Sequence, residues 1–111
     1  YNNIGDLQHT LGEYDEALAS YQKALEIQIK AFNENHPDVA TTYTNIGAVH
    51  QAIGKYSEAR SDYEKAVAIR KKSLPENHPA MGTCYNNIGH LHQLLGEHEE
   101  ALEWYSKTLK L

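Results

Sequence analysis

One cysteine is all that this sequence holds, so Cys84 has no partner for an internal disulfide, and a reducing, cytoplasmic setting is the expectation. Long apolar runs are missing too. None approaches the ~20 residues of a bilayer crossing, and no membrane partner is expected. Positive charge is in short supply, with ten Lys plus Arg against fifteen Asp plus Glu and a formal charge of minus five. Clustered basic residues are what neutralise phosphates, so nucleic acid is not expected as a partner either. Only three prolines interrupt the 111 residues, and 41% of them are hydrophobic, enough for one compact domain.

What the sequence does have is a period. Tyr1-Asn2-Asn3-Ile4-Gly5, Tyr43-Thr44-Asn45-Ile46-Gly47 and Tyr85-Asn86-Asn87-Ile88-Gly89 start 42 residues apart. Gly12, Gly54 and Gly96 keep the same register, as do Ala17, Ala59 and Ala101, the tyrosines 21, 63 and 105, and the lysines 23, 65 and 107. About 18 of the 42 positions are identical between the first two units, and a fixed period of this size signals a solenoid.

Within a unit the spacing is helical. Tyr43, Ile46, Gly47, His50 and Ile53 fall on one stripe. His36-Pro37 and His78-Pro79 mark the start of a first helix, because the N–H that proline lacks has no partner in a first turn. Gly54 and its equivalents mark its end, where glycine supplies a left-handed cap. A second helix follows at once, with the apolar stripe Ala17, Leu18, Tyr21, Ala24, Leu25 and Phe32, and with Asp15 and Glu16 at the positive end of its dipole. Gly5, Gly47 and Gly89 lie mid-helix, where glycine costs about 1 kcal/mol relative to alanine. Their presence predicts a helix crossing with no room for a side chain, filled by the alanines and tyrosines of the second helix. The expected fold is all-α, a solenoid of antiparallel helix pairs in three units, 1–36, 37–78 and 79–111. Tyr1 aligns inside a first helix and Leu111 inside a second, so a piece of a longer array is expected.

The middle unit, with Tyr43, Ile46-Gly47, Gly54, Tyr56, Ala59, Tyr63 and Ala66, resembles the tetratricopeptide repeat. Unit three departs from that pattern with His98 for the second tyrosine and Thr108 for the last alanine. The 42-residue period exceeds the usual ~34 of the family. In that respect, and in Ala-Leu-Glu-Ile at 24–27, Asn-His-Pro-Asp-Val-Ala at 35–40 and Tyr-Thr-Asn-Ile-Gly at 43–47, the chain is similar to kinesin light chain. The resemblance implies a right-handed superhelix and a non-catalytic scaffold that binds protein or peptide in a concave groove lined by first helices.

Signs of chemistry are few. There is no phosphate loop of the Walker type, no nucleophile elbow and no repeated carboxylate pair on the first-helix stripe, so no enzyme and no cofactor are expected. Seven histidines include none paired for a metal on one helix face. His50 and His92 hold equivalent positions, with Cys84 one to two turns from His92. Filling a slot that the family often gives to tyrosine is preferred to a zinc site.

Asn3, Asn45 and Asn87 form a ladder along the first helices, each amide offering donors and an acceptor to the backbone of an extended peptide. The resemblance implies that role for an asparagine at this place; the alternative is an amide bonded to a neighbouring carbonyl. Thr41, Thr83, Asn86, His90, Gln51 and Gln93 are the candidates for side-chain selection. No first helix contains Lys or Arg, so the floor reads as uncharged. Asn2, Thr83 and Asn87 stand where a carboxylate clamp of the family would place cations. Acidic flanks of a peptide could meet only Lys30, Arg70, Lys71 and Lys72. A rival expectation is self-association through an end face carrying Leu102, Trp104, Tyr105 and Leu109, with core cover, a contact and plain exposure all open for Trp104.

Overall fold

The computed structural model of the protein describes residues 2–32, 36–73 and 79–109. Tyr1, Asn35, His78 and the side chains of Asn2, Thr108 and Leu109 lie outside the described residues. Among the described residues the regular structure is six helices: α1 (Asn2–Thr10), α2 (Tyr14–Ala31), α3 (Pro37–Ala52), α4 (Tyr56–Ser73), α5 (Pro79–Leu94) and α6 (His98–Leu109).

Local chemistry sets the boundaries. α3 opens on Pro37, and His36 before it is extended and caps the helix by accepting the Asp38 N–H on Nδ1 at 3.1 Å. α3 closes at Gly54, which has φ +81°. Its N–H donates to the Gln51 carbonyl at 3.1 Å and that of Lys55 to the His50 carbonyl at 2.8 Å, a left-handed closure that satisfies two terminal carbonyls. The same two bonds follow Gly12 and Gly96, so each second helix turns straight back along the first. A Cβ at Gly54 meets nothing within 4 Å, so Gly54→Ala carries only the backbone strain. It is expected to cost about 1 kcal/mol, seen as a lower urea midpoint at unchanged slope.

The pairs are antiparallel, as Ser20 bonding Gln8 and Tyr21 bonding Asp6 require. Each helix packs on the next, and α1 also meets α3. The molecule measures 34 × 29 × 19 Å, its shortest dimension being that of two stacked helices. Ala17 and Tyr21 of α2 meet Ile46 and Val49 of α3, while Val39 and Ala40 meet Ala66 and Ile69 of α4. The largest cluster joins Ala59, Tyr63 and Val67 of α4 to Met81, Cys84, Tyr85, Ile88 and Leu91 of α5.

One expectation is corrected. Phe32 is not part of the apolar stripe of α2: it follows the helix, is 51% exposed, and stacks on His36 with ring centroids 4.0 Å apart. Of the readings open for Trp104, the structure gives cover of the core. Trp104 packs on the α4–α5 cluster, 5.6 Å from the Tyr85 ring, with Lys107 Nζ 4.0 Å from its own centroid. The reason lies in its register. Position 104 is that of Ser20 and Asp62, both of which face the first helix of their own pair. Among the described side chains of α6, Leu102 is 64% exposed.

Candidate binding face

The first helices α1, α3 and α5 hold every candidate residue, and the glycine crossings fix what reaches them. A Cβ on Gly47 would lie 2.7 Å from Cε1 of Tyr63; on Gly5 it would lie 2.6 Å from Tyr21, and on Gly89 2.9 Å from Tyr105. Lying against the bare backbone, the Tyr63 ring carries its hydroxyl to Gln51, donating to Oε1 at 3.0 Å, and Tyr105 does the same to Gln93 at 3.1 Å. In the first pair Tyr21 donates to Asp6 instead, because His9 stands in the glutamine position. Burial, helped by the Asp62 charge, pushes the Tyr63 hydroxyl up to about 12, and burial together with Asp6 raises that of Tyr21. Both remain donors at any physiological pH. With its carbonyl engaged, each glutamine keeps two N–H donors to offer.

Asn45 and Asn87 are half-buried and Asn3 is exposed. None of the three amides takes part in a hydrogen bond among the described residues, so the alternative of a neighbouring carbonyl has no counterpart there. Gln51 is half-buried; Thr41, Thr83, Asn86, His90 and Gln93 are exposed. Thr41 bonds back to the Pro37 carbonyl at 3.3 Å.

The face is not uncharged. Arg70, late in α4, is half-buried and donates from its terminal NH2 to Thr41 Oγ1 at 3.1 Å. Its field also reaches the Cys84 thiol on α5, lowering a pKa that burial raises more strongly. Arg70 Nε is buried with no hydrogen-bond partner among the described residues. A cation from a second helix therefore reaches the first-helix residues. Sequence reading set it at the edge, because periodicity gives the face of a residue but not the reach of its side chain.

A polar pair went unread. His50 Nδ1 lies 2.6 Å from Asp62 Oδ2, with the two side chains 17% and 12% exposed. Burial holds the Asp62 carboxyl above its ordinary range, with His50 and Lys65 opposing. His92 takes Glu97 at 3.3 Å because Trp104 occupies the place of Asp62. Gln8 and Ser20 occupy the same two positions in the first pair, bonded at 2.7 Å, so the 42-residue register could have revealed the contact. Among the described residues no group of three or more His, Cys, Asp or Glu could hold a metal. Nor is any described helix long and apolar enough to cross a membrane.

The tetratricopeptide repeat profile matches residues 1–72 and 58–111. BtubC (BKLC) from P. vanneervenii has a similar structure, with TM-score 0.90 and 25% identity over 98% of this chain and 44% of that one. The nearly identical TPR-like repeats of a Podospora anserina protein assigned as a kinesin light chain give TM-score 0.84 and 24% identity over 96% of this chain and 51% of theirs. The TPR domain of Arabidopsis FLU gives TM-score 0.85 at 22% identity, over 98% of this chain and 88% of that domain. The chain spans about half the length of the first two. No curated protein matches it in sequence.

Proposed function

The chain belongs to the tetratricopeptide repeat family, and from that premise we propose that it is a non-catalytic adaptor holding an extended peptide of a partner protein across α1, α3 and α5. Its three units, 1–36, 37–78 and 79–111, each supply one asparagine. Asn3, Asn45 and Asn87 hydrogen-bond the peptide backbone, and Thr41, Thr83, Asn86, His90, Gln51 and Gln93 select among its side chains. The observation that carries this reading is the asparagine ladder: three amides at one register position, none bonded among the described residues.

Arg70 gives the face its preference. Held by Thr41, with its Nε buried, it favours an acidic residue between the Asn45 and Asn87 contacts. The buried, unpaired Cys84 thiol suits a reducing cytoplasm.

The test begins with the chain as bait in a lysate, beside an Asn3→Ala, Asn45→Ala, Asn87→Ala triple variant of equal helicity. The bound segment, once identified by mass spectrometry, is titrated as a peptide against both. The triple variant is expected to bind about tenfold or more weakly, as the loss of hydrogen bonds worth ~0.5–1.5 kcal/mol each requires. Equal affinity for both proteins would make the ladder structural. A peptide held by neutral amides beside one cation loses only modest affinity between about 50 and about 200 mM salt.

A further inference from the structure

The asparagine ladder is the same in all three units, so it can hold a peptide backbone without fixing where along the face the peptide begins. A segment shifted by one unit would find the same amides. Register has to come from positions at which the units differ, and two such positions bring a charge to the face. Asp6 of α1 stands in line with Ala48 and His90. Arg70 of α4 stands in line with Gln28.

Local substitutions explain how each charge is held. In the first unit His9 replaces the glutamine that takes the tyrosine hydroxyl in the other two, and its ring stands edge-on to Tyr14 at 5.7 Å. Tyr21 therefore donates to Asp6 Oδ1 at 2.5 Å, which fixes the carboxylate and leaves its second oxygen free to accept. At the junction of α2 and α3, Gln28 accepts the Thr42 hydroxyl at 2.7 Å. Cys84 takes the place of Thr42 at the next junction, and a thiol is a weak partner, so Arg70 donates to Thr41 instead at 3.1 Å. Asp6 is exposed, Arg70 is half-buried, and among the described residues neither forms an ion pair. The openness of Asp6 belongs to its register. At the same position Ala48 is half-buried and His90 exposed, although each has a helix pair before it.

We propose that the partner segment carries both signs of charge, a Lys or Arg on Asp6 and an Asp or Glu on Arg70, and that this pair sets its register on the three identical asparagines. The proposal rests on the groove reading above and adds to it a ligand class: a segment with one basic and one acidic residue at a fixed separation. Shifted by one unit, its basic residue meets Ala48 and gains nothing. With the signs exchanged, like charges face each other at both places.

A display library of random peptides is the probe, selected on the wild type, on Asp6→Asn, on Arg70→Gln and on the triple asparagine variant. Asp6→Asn keeps an oxygen for the Tyr21 hydroxyl and removes the charge. The wild type is expected to enrich peptides with a basic and an acidic residue in one order and at one separation. Asp6→Asn drops the basic residue and keeps the acidic one, and Arg70→Gln does the reverse. In a selected peptide, glutamine in place of the basic residue weakens binding to the wild type about two- to fivefold, as an ion pair at an exposed carboxylate allows, and leaves binding to Asp6→Asn unchanged. Should Asp6→Asn lose helicity, Asp6→Ser replaces it, and the same results decide. Enriched peptides that lack either sign or a fixed separation overturn the proposal and leave the asparagine reading intact. So does a basic preference that survives in Asp6→Asn. Peptides that bind the triple variant at full affinity, with both charge preferences kept, overturn the asparagine reading alone. A wild type that enriches no sequence overturns both.

Discussion

Gly47→Ala is expected to destabilise the protein by about 2–3 kcal/mol, although alanine in an open helix interior is about 1 kcal/mol better than glycine. The new methyl carbon would stand 2.7 Å from Cε1 and 2.9 Å from Cδ1 of Tyr63, closer than carbon atoms pack. The ring has little room to withdraw. It is 4% exposed, it lies in the cluster with Met81, Ile88 and Leu91, and its hydroxyl is tied to Gln51 at 3.0 Å. Relief must come from separating α3 and α4, and that loosens Val39, Ala40, Ala66 and Ile69, buried along the same pair. For a chain of this size, about 4–8 °C of melting temperature goes with each kcal/mol, so the thermal transition should fall by about 10 °C or more. Ala48→Gly, one residue on and half-buried, is the control, with a loss of about 1 kcal/mol from helix propensity alone. A Gly47→Ala protein that melts at or above the wild type would show that the helices can part at little cost, and the mid-helix glycine would need another explanation.

That glycine was legible in the sequence because its cost is local and its repetition is visible. The same holds for the prolines that open α3 and α5, and for Gly12, Gly54 and Gly96 with φ near +80°. Each records a constraint of the backbone at its own position. Contacts between helices were harder to read. Phe32 follows Leu25 by seven residues and falls on the apolar stripe by count, yet α2 ends at Ala31, and the ring finds His36 across the connection. For Trp104 the sequence leaves core cover, a contact and plain exposure open, and its register with Ser20 and Asp62 turns it toward α5. On the candidate face, the register of the three asparagines is plain in the sequence, and the pinning of Arg70 by Thr41 is not. Those residues are 29 apart and meet only because α4 runs back along α3.

His50→Ala carries the same lesson into electrostatics, because the residue matters through a partner twelve positions away. At about pH 7 the variant is expected to lose about 2–3 kcal/mol, since it leaves the Asp62 carboxylate, 12% exposed, without the ring that bonds it at 2.6 Å. Burial already holds the folded-state pKa of Asp62 above its ordinary value while His50 pulls it down, so removing the ring raises it further. A carboxyl whose pKa is higher folded than unfolded destabilises the fold while it is ionised. As pH falls through the raised value, the folded chain takes up a proton before the unfolded chain does, and stability returns. The gap between His50→Ala and wild type is therefore expected to narrow steadily from about pH 7 to about pH 4. Asp62→Asn keeps an acceptor for the ring and removes the charge, so it should cost less than His50→Ala at pH 7, and the narrowing that depends on Asp62 should vanish in an Asp62→Asn background. Urea midpoints at each pH give the answer. A gap that stays constant across the range would assign the loss to packing of the imidazole and leave the His50–Asp62 contact with no net electrostatic role in stability.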